Sequence, residues 1–201
     1  MDKKRLYYTQ MFFDTILPQI QEITTQSRYG YHGISHTIQV ALFGIDLAQH
    51  INQDAIPVML AAGLHDCART NDAWCVEHGP HAAIVGREFL AKKWPQLPQK
   101  TVQQILYAVE NHTTGDNAPD GISACLWDGD RIRLSWEYGY APRFFSTQRG
   151  REIASLDRRG QDNYIAQQDK FLIDNKIKTA QELKYERQQD ILQNNTKFKT
   201  R

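Results

Sequence analysis

The sequence has few cysteines, almost no excess of either charge and no long apolar run. Its apolar stretches, such as Val58–Leu64, fall far short of the roughly 20 residues that a bilayer-spanning helix needs. The start MDKKRLYYTQ is charged and runs into Met11-Phe12-Phe13-Asp14, without the apolar core and small-residue cleavage site of a secretory signal. A cytoplasmic protein is the expectation. Three cysteines, Cys67, Cys75 and Cys125, cannot all pair within one chain and form no C-x-x-C, which argues against a disulfide framework or thiolate zinc site. Lys and Arg number 24 against 23 Asp and Glu, so neither a broadly basic nucleic-acid binder nor an acidic solvating tail is expected. No P-loop, dinucleotide glycine pattern or nucleophile elbow is present.

What is present is enough apolar matter for one core, 41% of 201 residues, with helical periodicity almost throughout. Residues 6–26 read as helical, interrupted by Pro18, and Tyr29–Gly33 as a turn. A helix over about 34–51 follows, then one opened by Asp54 and Pro57 that runs to about Cys67. Residues 68–77 read as a loop. Gly79 and Pro80 read as the cap and first residue of a helix ending near Trp94-Pro95. Further helices are expected over 100–113 and 122–134, with mixed structure from 138 to 150. A polar helical tail follows, to be solvated or packed, with a frayed end. No strand alternation, repeat or interdomain linker interrupts this pattern, so the fold class is all-α.

Polar residues on apolar faces carry the chemistry. His36 shares a face with Val40, Phe43 and Leu47, His65 with Val58, Ala61 and Ala62, and His112 with Ile105 and Ala108. Asp130 sits with Leu126, Trp127 and Leu134. Each of four helices thus turns one potential ligand inward, where an unpaired polar group is costly. A lone histidine so placed is usually a core residue with a satisfied hydrogen bond; four such positions and a His65-Asp66 doublet point to a metal. Successive helical residues point about 100° apart, so the doublet can converge only on something lying between its two side chains. Imidazole with carboxylate suits Zn²⁺, Fe, Mn²⁺ or a related ion, and the cation offsets the burial of Asp66 and Asp130.

This order of His, His-Asp and Asp, with HGISH (His32–His36), LHDCARTND (Leu64–Asp72), EHGPHAA (Glu77–Ala83) and LWDGDRIRL (Leu126–Leu134), resembles the HD-domain metal-dependent phosphohydrolase superfamily. The resemblance spans Tyr31 to Gly150 and is to its small stand-alone hydrolase branch. It implies a single-domain HD-type helical bundle, with a first metal held by His36, His65, Asp66 and Asp130. Asp130 is preferred to Asp128 because it directly precedes the basic residue Arg131. His78 and His112 would add a second ion, with His81 competing for the place of His78. The cofactor is then one or two divalent ions drawn from Mn, Fe, Mg, Zn, Co and Ni.

The resemblance also implies a phosphomonoesterase or phosphodiesterase acting on a small phosphorylated metabolite, nucleotides included, through a metal-activated water. Asp66 would bridge two ions or assist deprotonation of water. Arg69 would contact phosphate and take part in catalysis, because a guanidinium binds two oxygens at once. Arg131 and Arg143 are further candidates for substrate contact; each of the three could equally form a surface salt bridge. His32 reads as a phosphate donor, a residue supporting the ligands, or a surface turn residue. Trp74 and Trp136–Tyr140 line a pocket for a planar group or belong to the core. Two other functions share the pattern: a di-iron oxygenase on the same fold and a non-catalytic ligand sensor that retains its metal. The expected organisation is an N-terminal helix over 1–28, a metal-binding core over 29–155 and a C-terminal segment over 156–201. Neither nucleic acid nor membrane is expected as a partner. Oligomeric state stays open, although Tyr7-Tyr8 and Phe12-Phe13 could form an exposed seam.

Overall fold

The computed structural model describes residues 2–25, 30–73, 75–138 and 141–198. Helix α1 (Lys3–Met11) starts where the Asp2 carboxylate accepts the N–H groups of Lys4 and Arg5, a side-chain cap of the usual kind. Pro18 does not interrupt this helix. A π-helical turn (Phe12–Ile16), closed by the Leu17 N–H on the Phe12 carbonyl, leads into α2 (Leu17–Gln21). Pro18 falls in the first turn of α2, where its missing N–H costs little. Phe12 is wholly buried and Tyr7 is exposed, so the two aromatic pairs do not make one exposed seam.

The centre of the bundle is α3 (Ile34–His50), packed against α4 (Ala55–Leu64) and α7 (Gly121–Tyr138). Helix α4 is buried almost all round, as a helix with apolar residues on every face must be. Asp54 caps it through the Ile56 N–H at 3.1 Å. Helices α5 (His78–Lys93) and α6 (Gln99–Glu110) pack on each other, and α6 reaches α4 and α7. The indole N–H of buried Trp127 donates to the Ala108 carbonyl at 2.9 Å, joining α7 to α6.

A 3-10 turn (Pro142–Phe144) and α8 (Gln148–Ala154) return the chain to α9 (Arg158–Asp174) and α10 (Ala180–Phe198). Tyr164 of α9 donates its hydroxyl to Asp46 Oδ2 at 2.7 Å and stacks on Phe43, which docks this segment on α3. Much of α10 is exposed, but Asp190 is buried. The expected fraying at 199–201 and the expected boundary between 28 and 29 lie outside the described residues. Among the described residues there is no strand, and no helix is long and apolar enough to cross a membrane. The fold is an all-α bundle.

Candidate metal centre

The candidate ligands sit mostly at helix ends. His36 lies in the first turn of α3, His65 and Asp66 where α4 stops, His78 at the start of α5 and Asp130 within α7. His112 follows α6, in the turn after Asn111; the expected helix over 100–113 stops at Glu110. Likewise α4 ends at Leu64 rather than near Cys67, and α5 begins at His78 with Glu77 before it, so Gly79 is a helical residue rather than the cap. The helix ends orient the rings. The last carbonyls of a helix lack intrahelical donors, and the Nδ1 atoms of His65 and His112 take them, at 2.7 Å from Ala62 O and 2.7 Å from Val109 O. Each ring is thereby fixed with Nε2 directed inward, the arrangement in which a backbone carbonyl sets the tautomer of a metal-binding histidine.

Two trios of donors result, His36–His65–Asp66 and Asp66–His78–His112, all buried. In the first, the Nε2 atoms of His36 and His65 are 3.1 Å apart. Asp66 Oδ2 lies 3.5 and 3.3 Å from them, and Asp130 Oδ1 is 3.1 Å from His36 Nε2. In the second, the Nε2 atoms of His78 and His112 are 2.8 Å apart, with Asp66 Oδ1 at 3.1 and 3.7 Å. Ligands about 2.1 Å from one ion stand roughly 3–3.5 Å apart at tetrahedral or octahedral angles. The spacings therefore suit an ion in each trio, with Asp66 shared.

The donor atoms fit that role in a second way. Both oxygens of Asp66 and Oδ1 of Asp130 are buried without a hydrogen-bond donor, an arrangement that is expensive unless a cation or proton compensates it. Burial drives the His36 imidazole down to about 4 against the pull of Asp130, which keeps it neutral. Burial opposes charge on His65 as well, but the carboxylates of Asp66 and Asp130 overcome it and raise that ring to about 9. Both carboxylates resist burial, and the surrounding imidazoles hold them well below the ordinary range.

A cavity of about 330 Å³ opens over the cluster, lined by His32, Asp66, Arg69, Asp72, Cys75, His78, His112, Thr113–Asp116, Asp130, Arg131, Leu134 and Phe144. Its volume falls in the range of small-molecule sites. A larger depression of about 450 Å³, lined by residues that include Arg5, Asp46 and Phe171, shares no residue with it.

The other residues singled out by sequence fall unevenly around this cavity. His78 joins the cluster and His81 is exposed. Asp128 turns away: it accepts from the N–H groups of Ser146 and Thr147 and from the Thr147 hydroxyl, and burial pushes its carboxyl up. Arg69 is buried and bound inside the protein, with Nε on Asn71 O, Nη2 on Ala73 O and Nη1 beside His78 and Asp66. Arg131 lines the cavity, but its terminal nitrogens donate to Phe144 O at 2.7 Å and Gly115 O at 2.6 Å. Arg143 is not brought to the cavity; it is exposed, with its guanidinium over the Phe144 ring. Its sequence position near a turn gave no direction for the side chain. His32 reaches the cavity wall with Nδ1 3.2 Å from Asp72 Oδ1. Trp74, residues 139–140 and the side chains of 136–138 lie outside the described residues.

Among the cavity residues with no role assigned from sequence, two touch the candidate histidines. Thr113 places its hydroxyl 3.3 Å from Nε2 of both His78 and His112, and Asp72 holds His32. Adjacency to His112 was the only available signal for the first. The second depends on a contact across 40 residues, which no local spacing reveals. Cys67 and Cys125 are buried free thiols, and burial pushes Cys67 up to about 12, as expected of inert cysteines.

No curated protein matches the sequence. Among solved structures, a predicted HD superfamily hydrolase from an uncultured Thermotogales bacterium aligns with a TM-score of 0.59 at 22% identity, over 80% of this chain and 91% of the other; that likeness is one of fold. The family model described as HD domain matches residues 33–166, a span that contains every member of both donor trios and Asp130. That match covers well over half of the chain, and the protein belongs to the HD-domain family.

Proposed function

We propose that this protein is a metal-dependent phosphohydrolase that cleaves a phosphate mono- or diester of a small metabolite, of nucleotide size or less. The observation that carries the proposal is the shared carboxylate: Asp66 offers Oδ2 to one trio and Oδ1 to the other at the base of the cavity. Imidazole and carboxylate donors accept Mn, Fe, Mg, Zn, Co or Ni. These residues would hold a divalent ion, whose chemistry there would be to orient a water, bring its pKa toward neutrality and neutralise charge on phosphoryl oxygens.

The remaining work belongs to side chains of this chain. Asp66 supplies an oxygen to each trio, and Arg69, 3.7 Å from Asp66 and 3.0 Å from His78, steadies both. With its Nη2 and Nε engaged by loop carbonyls, Arg69 acts first as a positioning residue. His32, held through Nδ1 by Asp72, and the Thr113 hydroxyl are placed to hydrogen-bond substrate oxygens along the wall. Arg131 braces the rim through Gly115 and Phe144 and adds positive charge beside the cavity.

The test is elemental analysis of the purified protein followed by phosphomonoester and phosphodiester panels with each divalent ion. Ion-dependent phosphate-ester cleavage is expected. His65→Ala and Asp66→Asn should lose at least about a thousandfold in turnover, since several kcal/mol of transition-state stabilisation are removed, while far-ultraviolet circular dichroism stays helical. Bound iron with oxygen-dependent turnover and no ester cleavage would replace this reading with an oxygenase. Tight metabolite binding without product across the panel would replace it with a sensor.

A further inference from the structure

The polar C-terminal helix carries a buried acid that the metal centre leaves unexplained. Asp190 lies in α10, where most neighbours face solvent, yet it is 9% exposed. A buried carboxylate needs hydrogen-bond donors, and Asp190 takes them from Gly30, just before the HGISH segment, and from Ser35 within it. Its Oδ1 accepts the Gly30 N–H at 3.1 Å, and both oxygens lie 2.9 Å from the Ser35 hydroxyl. Gly30 has φ of 117°, a conformation that suits glycine alone, and this backbone places its N–H on α10. Ser35 directly precedes His36 in the first turn of α3. That turn begins at Gly33, which offers no side-chain cap to the first N–H groups of α3. Asp190 brings negative charge to this N-terminus from more than 150 residues away, where the helix dipole favours it.

We infer that Asp190 is a positioning residue for the first donor trio: α10 straps the segment from Gly30 to His36 through Asp190 and so sets where the His36 imidazole stands. The strap bears on the first trio, because Asp190 bonds to Gly30 and to Ser35, the residue before His36, whereas His78 and His112 stand at the start of α5 and after α6. The segment that does this lies beyond the span shared with the family model, which ends at residue 166. The metal arm of the test rests on the ligand reading above; the exchange arm does not.

Full-length Asp190→Ala, Asp190→Asn and Ser35→Ala variants test the inference. In the metal-free protein, hydrogen exchange of amides 30–36 should accelerate at least about tenfold in Asp190→Ala, with amides of α5 and α6 within about twofold of wild type. In Mn²⁺ titrations one of two sites should weaken at least about tenfold, the range seen when groups supporting a ligand are removed, and the other should hold. Asp190→Asn, which keeps one acceptor oxygen, and Ser35→Ala should fall between wild type and Asp190→Ala. Unchanged exchange over 30–36 in Asp190→Ala, or acceleration spread equally over α5 and α6, overturns the strap. Faster exchange at 30–36 in a protein that binds no Mn²⁺ even as wild type supports the strap and overturns the metal reading instead.

Discussion

Gly79→Ala separates the two donor trios by pure sterics. The added Cβ would stand 2.5 Å from the Glu110 carbonyl oxygen and 3.2 Å from that of Val109. Carbon to carbonyl oxygen contacts settle at about 3.3 Å, so the start of α5 must retreat from the end of α6 by roughly 0.8 Å. The flexible end of a side chain could yield to the methyl group, but these oxygens are backbone. His78 is the preceding residue, and its Nε2 is 2.8 Å from His112 Nε2. A constellation of this kind tolerates displacements of about 0.5 Å, so the second trio should open while His36, His65 and Asp130 stay in place. Overpacking costs about 1–3 kcal/mol, and the better helix propensity of alanine returns about 1 kcal/mol. The net is about 0–2 kcal/mol, a fall in Tm of at most about 8 °C for a chain this long. Calorimetric melting with Mn²⁺ titration reads both effects: one site should weaken at least about tenfold and the other should change little. Wild-type affinity at both sites would refute the argument that this contact spaces His78 from His112.

Two further substitutions divide structural from functional roles. Asp128→Ala removes three hydrogen bonds to Ser146 and Thr147, two of them buried, and should cost about 2–4 kcal/mol, while metal stoichiometry is retained. Asp130→Ala should show the reverse, a modest change in melting with loss of metal at the first trio; equal metal loss in both variants would count against Asp130. Arg131→Ala frees the carbonyls of Gly115 and Phe144 and should lower stability by about 1–3 kcal/mol. If the side chain braces the rim, KM should rise more than kcat falls in steady-state assays, and an unchanged KM would remove that role.

Much of the helix order could be read from the chain because burial imprints a period on it. Asp54 before the apolar run of α4 marked a start, while the central place of α3 came only from its packing against α4 and α7. His36, His65, Asp66, Asp130 and His112 stood out because a polar side chain among apolar neighbours is conspicuous. The choice between His78 and His81 could not be made on that basis. They are separated by one turn at the start of a helix, and only the approach of α6 decides which one meets His112. The arginines were harder still: Arg69 and Arg131 have long side chains whose partners are backbone carbonyls that the sequence does not place, and Arg143 lies over the Phe144 ring. Pro18 read as a break because local rules take no account of the π-helical turn before it.

The chain alone determined which residue types face the interior and that imidazole and carboxylate are among them, since both follow from neighbours three or four positions apart. The tertiary structure decided that one aspartate serves two trios, that Asp128 instead anchors Ser146 and Thr147 ahead of α8, and that Asp190 reaches back to Gly30 and Ser35. Each of these depends on where helices far apart in sequence come to rest against one another. A side chain's partner across such a contact is set by interhelical packing, which local periodicity does not encode.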